Sequence, residues 1–265
     1  MSTRRLRKQI TYALIWLALP TLIIMAIVTI KNRDPAPKAT PTPVAYIPIE
    51  VKDTVVITQS NPSSLESTTV DLVTSLRNPN ARAGISEYPV QYTVFSSAGE
   101  EIAKASETIH LLPGSTQYAM ALNVTIPAEK RLGRLEVSVP SAQEVVFTEI
   151  PDLGLLPSFS VFLRQRTDDI IAGRPSTTQK GVITNTGAFD WEKVEVRVVA
   201  LNQDGQIIAA GKTFVGRLIT GQQREFSTAW PKVASDITQI VALPSTNIFR
   251  EDNIVEIIGD PSRLR

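Results

Sequence analysis

The stretch that decides the fold is Val194-Glu195-Val196-Arg197-Val198, followed by Gln203-Asp204-Gly205 and an apolar run over residues 207–215. Apolar and charged side chains alternate with period two, the pattern of a β-strand with one face buried and one in water. Asp204-Gly205 supplies the positive-φ chemistry of a tight turn, so strand, turn and strand read as a hairpin. An earlier stretch has the same syntax. Val90, Tyr92 and Val94 alternate with Gln91, Thr93 and Phe95, then come Ser97-Ala98-Gly99 and residues 102–110.

Working outward from the two hairpins uncovers a duplication. Asn78-Pro79-Asn80 is matched by Asn185-Thr186-Gly187, and Gly99 by Gly205. The turn ending in Gly114 is matched by the turn ending in Gly221, and Pro127 and Pro140 by Pro231 and Pro244. The offset stays close to about 105 residues, the size of one β-sandwich domain. Further strands are expected over residues 117–124, 133–139, 224–230 and 237–243, with extended openings over 45–58 and 158–171. Single helical turns fit near 127–131 and 231–236. The Pro151–Pro157 stretch is the natural boundary, short and apolar enough that the two domains should touch rather than swing freely.

Upstream, residues 10–30 carry no charge, opening at Ile10 and closing at Ile30. As a helix they span about 30 Å, the hydrocarbon thickness of a bilayer. Trp16 sits toward the N-terminal interface, and Pro20 falls mid-span, where a membrane helix tolerates a kink. Arg4, Arg5, Arg7 and Lys8 precede the run, which favours a cytoplasmic N-terminus. The run is longer than the core of a cleaved signal peptide, so it reads as an uncleaved signal anchor in the plasma (inner) membrane. Residues 31–43 hold Pro35, Pro37, Pro41 and Pro43, a polyproline-type spacer. The expected organisation is a basic N-terminus (1–9), a transmembrane helix (10–30), the spacer (31–43), and extracytoplasmic domains over 44–150 and 151–265.

Composition narrows function by exclusion. The chain is 43% hydrophobic and carries a formal charge of +1, which permits real cores and offers no basic field for nucleic acid. There is no cysteine and one histidine, which removes disulfides, thiolate metal sites and multi-histidine centres.

The stretch Thr69-Val70-Asp71-Leu72-Val73-Thr74-Ser75-Leu76-Arg77-Asn78-Pro79-Asn80 resembles the Asn-Pro-Asn strand of late-embryogenesis-abundant, water-stress-type domains. The second unit resembles the bacterial FxLYD-type domain through Gly181-Val182-Ile183-Thr184-Asn185-Thr186-Gly187, the strand at 194–201, Asp204-Gly205 and the turn at Gly221. Both resemblances imply immunoglobulin-like or fibronectin-like β-sandwiches without catalysis. The expected fold class is therefore all-β, two tandem sandwiches of that type behind one N-terminal transmembrane helix.

No residue set reads as an active site, and no cofactor is implied. His110 reads as a surface histidine at a strand end. Asp168-Asp169 could approach Asp152 or Asp190 around a cation, but reads more simply as a solvated hairpin turn. Asn78 and Asn185 read as structural groups bonding their own backbone at a strand exit. Trp230 reads as core. Phe189 and Trp191 are the interface candidates, an apolar patch if both are exposed. Lys130-Arg131-Arg134 reads as a solvated basic turn, and Asn123-Val124-Thr125 matches a glycosylation sequon inside an expected strand. The functional expectation is a non-enzymatic interaction module. It contacts the bilayer through its helix and presents two sandwiches to a protein or envelope partner. The alternative is a structural subunit of a secretion, pilus or cell-wall assembly complex.

Overall fold

Every stretch of period-two alternation is strand in the computed structural model, which describes residues 45–59, 67–171, 173–231 and 236–255 (the Arg174 side chain excepted). The expected membrane span, with Ile10, Trp16, Pro20 and Ile30, and the spacer lie outside the described residues. No helix among the described residues is long and apolar enough to cross a membrane. The first repeat contains β1 (Glu50–Gln59), β2 (Ser67–Arg77), β3 (Ala83–Ser96), β4 (Glu101–Leu111), β5 (Thr116–Pro127), β6 (Leu132–Ser138) and β7 (Phe147–Glu149). The second contains β8 (Phe159–Ile171), β9 (Arg174–Asn185), β10 (Trp191–Leu201), β11 (Ile207–Leu218), β12 (Gln223–Pro231) and β13 (Gln239–Ser245). Leu153–Leu155 and Glu251–Asn253 are single 3₁₀ turns. Residues 128–130 form a plain turn, not the helical turn expected there.

All pairings are antiparallel, and the two repeats share one plan. In the first, β1-β2-β5 form one sheet and β4-β3-β6 the other, with β7 continuing along β3. In the second, β8-β9-β12 and β11-β10-β13 repeat this, and a bridge from Trp191 to Ile254 stands where β7 stands in the first. Leu72 and Leu76 from one sheet meet Tyr92 and Val94 from the other in a single first core. Ile183, Phe226 and Trp230 meet Val194, Val196 and Val198 in a single second core. Two facing sheets around one apolar interior is sandwich-like packing. Trp230, 2% exposed, lies in the core as expected.

Of the register shifts among the described strands, two bear on the candidate residues. β5 carries an extra residue where Val70↔Val124 gives way to Leu72↔Ala121. There Asn123 adopts φ +60°, and its N–H donates to Oδ1 of buried Asp71 at 2.8 Å. β8 carries an extra residue where Leu163↔Gly181 gives way to Arg166↔Gln179. A bulge inverts the facing of every later residue. Phe159, Val161 and Leu163 pack toward the core, so Phe162 and Arg164 face outward. Beyond the bulge the outward set becomes Thr167, Asp169 and Ile171. Asp168 and Asp169 thus lie within β8, not in a turn; the hairpin turns at Gly173, where φ is +77°.

Candidate functional site

In a lone sandwich the outer face of β2 or β10 would be wet. Here β2 is buried on both faces from Val70 to Leu76, and β10 from Val196 to Ala200. The cause is a third apolar core. Val73 and Met120 of the first sandwich cluster with Val199 and Ala210 of the second, ringed by Ile57, Tyr118, Leu201 and Val241. The sheet β1-β2-β5 therefore lies against β11-β10-β13, and Tyr46–Arg265 cluster as one compact unit. Domain contact was expected; burial of a complete second face was not, because alternation of Val with Glu and Arg reads as a solvated face.

Ion pairs close the edge of that core. Arg197, 2% exposed, donates Nη2 to Oε2 of Glu195 at 2.8 Å and to Oε1 of Glu107, across the junction, at 3.3 Å. Lys212 Nζ reaches the same Glu107 oxygen at 2.5 Å, and the Met120 N–H donates to the other. Two cations meet two carboxylates, so the burial of charge is compensated locally. Burial pushes the Glu195 carboxyl above its ordinary range, against the pull of Arg197. None of Glu107, Arg197 or Lys212 was singled out in the sequence, where each looks like an ordinary solvated strand residue.

His110 is not on the surface. It is 7% exposed, and burial, with Arg197 nearby, lowers its pKa to about 4. The ring is neutral at neutral pH. His110 and Ser245 line a cleft of about 360 Å³ between the sandwiches, whose rim carries Lys193, Phe214, Arg250 and Asp252. Nε2 of His110 and Oγ of Ser245 are buried with no hydrogen-bond partner among the described residues. The rim charges are engaged already. Arg250 chelates Asp252 at 2.7 and 3.0 Å, and Lys193 Nζ sits 3.9 Å from the Phe214 ring centroid. A second contact seals the junction, where Asn247 Nδ2 donates to the Ser86 carbonyl at 3.1 Å.

The expected interface patch does not form. Trp191 is 1% exposed, inside the second core, and Phe189 is half-buried beside it with ring centroids 6.1 Å apart. Trp191 starts β10 with its side chain on the core-facing side, and Ile254 bridges over it. Among the described residues the most exposed large apolar side chains of the second sandwich are elsewhere: Phe162 (69%), Ile170 (70%) and Ile171 (44%) on edge strand β8, and Phe214 (51%) on edge strand β11.

The asparagine triplets are structural, as expected, and share one pattern, to which the first adds a bond from Asn80 Nδ2 to Asn78 Oδ1 at 2.9 Å. Asn78 Nδ2 donates to the carbonyls of Ala83 (2.7 Å) and Leu112 (3.0 Å), and its Oδ1 accepts from the Asn80 N–H at 3.0 Å. Asn185 Nδ2 donates to Phe189 (2.7 Å) and Leu218 (3.0 Å), and its Oδ1 accepts from the Gly187 N–H at 3.0 Å. Pro79 sits between Asn78 and Asn80 in the first loop, and Asn80 reaches back to hold Ile47 through both its side-chain atoms. Gly99 and Gly205 (φ +83° and +75°) close the matched hairpins, and Gly114 and Gly221 (φ +63° and +76°) the matched turns. In the Gly205 hairpin the Asn202 side chain, not Asp204, accepts from the turn N–H groups.

Other candidates are scattered. Asp152 caps the Leu153–Leu155 turn, Asp190 accepts from Thr220, and Asp168 accepts from Thr177. No group of three carboxylate or imidazole side chains that could hold a metal occurs among the described residues. Lys130 pairs with Glu100, and Arg134 pairs with Glu136 while covering the Phe95 ring at 4.4 Å.

No family model and no curated protein matches the chain. Among solved structures, red sea bream transglutaminase aligns over 73% of this chain and 29% of its own, at 7% identity and a TM-score of 0.23. The exo-chitosanase CsxA of Amycolatopsis orientalis aligns over 67% of this chain and 25% of its own, at 13% identity and a TM-score of 0.23. The chain thus spans between a quarter and a third of these two structures, and likenesses this slight bear on neither its fold nor its function.

Proposed function

We propose that this chain is a membrane-anchored, extracytoplasmic, non-enzymatic interaction module. Its two β-sandwiches, of immunoglobulin-like or fibronectin-like type, are offered to a protein partner in the cell envelope. The observation that carries this reading is the third core around Val73, Met120, Val199 and Ala210. It turns two repeats into one stiff block, which suits holding a partner at fixed geometry better than processing a substrate. The repeated plan of a three-strand sheet facing a second sheet supports the sandwich type. The uncharged residues 10–30 and the proline-rich spacer support the anchor.

The test is protease accessibility in spheroplasts, whose inner membrane is sealed and reachable from outside, with the chain tagged at its C-terminus. Digestion of residues 44–265 from outside the inner membrane is the expected result, and full protection there with digestion only after lysis would overturn the topology. A second reading, a structural subunit of an envelope assembly, is favoured by the exposed apolar residues of edge strand β8. Extraction in mild detergent separates the two: a discrete assembly of several different chains supports the subunit, and its absence supports the free module.

A further inference from the structure

We propose that β8 pairs with β8 of a second copy of this chain, antiparallel about a twofold axis at Thr167, joining the two β12-β9-β8 sheets into one.

β8 is the edge of its sheet, so one side of its backbone has no strand partner among the described residues. A long open edge recruits another strand unless something blocks it. The usual blocks are lysine, proline or a run of like charge. β8 has neither lysine nor proline between Phe159 and Ile171, and its charges change sign at the centre: Arg164 and Arg166 precede Thr167, Asp168 and Asp169 follow it. A twofold axis reverses the strand, so a sign change about the axis becomes attraction.

The bulge makes the register work. With Thr167 opposite Thr167 of the second copy, Arg166 stands opposite Asp168. One step further the extra residue in the bulge is skipped, and Arg164 stands opposite Asp169. Beyond it Phe162 stands opposite Ile171. Residues opposite one another across an antiparallel pair must lie on the same face. Phe162, Arg164, Thr167, Asp169 and Ile171 are the outward set established above, so each of these pairs is same-faced. Without the bulge, residues 162 and 171 would face oppositely and the apolar pair would be lost. The pairing also covers what the single chain leaves in water: Phe162, 69% exposed, and Ile171, 44% exposed. Arg164 reaches Glu225 on its own sheet at 2.5 Å and stays on the same face to meet Asp169. Asp168 keeps its bond to Thr177 Oγ1 at 2.8 Å. An interface that uses one patch on both copies closes on itself as a dimer.

The test uses the full chain in detergent micelles, with mass read by light scattering at concentrations from 1 to about 100 μM. The expected species is a dimer. Arg164→Asp places like charges opposite one another twice, by symmetry, and weakens the dimer tenfold or more; Asp169→Arg does the same from the other side. The double exchange Arg164→Asp with Asp169→Arg restores the pairing, which a loss of folding could not do. Because the chain has no cysteine, Thr167→Cys should oxidise to a covalent dimer at the axis, while Val146→Cys, 82% exposed and far along the chain, should not. A chain that stays monomeric over the whole range overturns the proposal. So does a dimer that Arg164→Asp leaves intact, since that dimer would be held elsewhere. Neither result touches the membrane reading, which the protease experiment tests separately.

Discussion

Arg197 of the second sandwich donates to Glu107 of the first across 3.3 Å, with only 2% of the arginine side chain exposed. The pair sits at the border of an apolar core that neither sandwich could form alone. Removing Arg197 strands Glu195 in a buried site, while Glu107 keeps Lys212. Arg197→Ala should therefore cost on the order of 3 kcal/mol. Lys212→Ala removes a 30% exposed side chain and should cost less than about 1 kcal/mol. Denaturant unfolding of the two variants against the parent measures both.

The third core makes a prediction about cooperativity. Trp191 and Trp230 both belong to the second sandwich, so their fluorescence follows that repeat, whereas far-ultraviolet dichroism follows both. In the parent protein the two signals should give one coincident transition. Met120→Asp puts a charge into the junction and should separate them into two transitions. Met120→Ala should keep a single transition and lower stability by about 2–5 kcal/mol.

His110 sets a pH dependence with a definite sign. In the unfolded chain it binds a proton near its ordinary pKa of 6.5, in the folded protein only near about 4. Between those values the unfolded state holds more protons, so stability falls as pH drops from 6.5 toward 4 and is level above that window. The loss is on the order of 3 kcal/mol. Arg197 stands near the ring, and Glu195, Lys193, Arg250 and Asp252 line the same cleft. His110→Gln should flatten this part of the profile. Glu195 and Asp71, both raised by burial, act with the opposite sign, since they favour folding as they protonate. They are common to parent and variant, so the difference isolates His110.

The two asparagines should respond alike. Asn78→Ala and Asn185→Ala each leave two carbonyls and one turn N–H without their partner, and Asn78→Ala also frees Asn80 Nδ2, which keeps its bond to the Ile47 carbonyl. Each should cost about 2–4 kcal/mol. Asn→Asp at either site keeps the acceptor but loses the Nδ2 donor, and should recover less than half. Thermal unfolding of the four variants checks this, and unequal losses at the two sites would argue against equivalent roles.

A fifth expectation concerns close packing behind β9. A Cβ on Gly181 would lie 2.5 Å from the Phe226 ring, inside the second core. Gly181→Ala should cost about 1–3 kcal/mol through displacement of that ring. A substitution that costs nothing would mean the ring moves freely, which amide exchange along β9 and β12 would reveal.

Much of this was legible in the chain. Period-two alternation located the strands around Val90–Val94 and Val194–Val198, because a pleated strand sends successive side chains to opposite faces whatever the rest of the protein does. Asn78 and Asn185 were legible as structural groups because an Asx turn is local, closed by an N–H two residues on. The duplication was legible because each repeat needs the same turns at the same spacing. What alternation cannot report is what covers the second face of a strand. Arg197 looks solvated in sequence, as does Glu107, and only the meeting of two sheets about a hundred residues apart buries them. His110 was misplaced for the same reason: its burial comes from the other sandwich. Trp191 reads as an interface candidate because a turn precedes it, with its exposure open in the sequence, whereas its facing is fixed by the pairing of β10. The sequence by itself determined strands, turns and repeat, since those depend on neighbours along the chain. The tertiary structure decided which faces are dry and which charges are paired, since those depend on residues that only folding brings together.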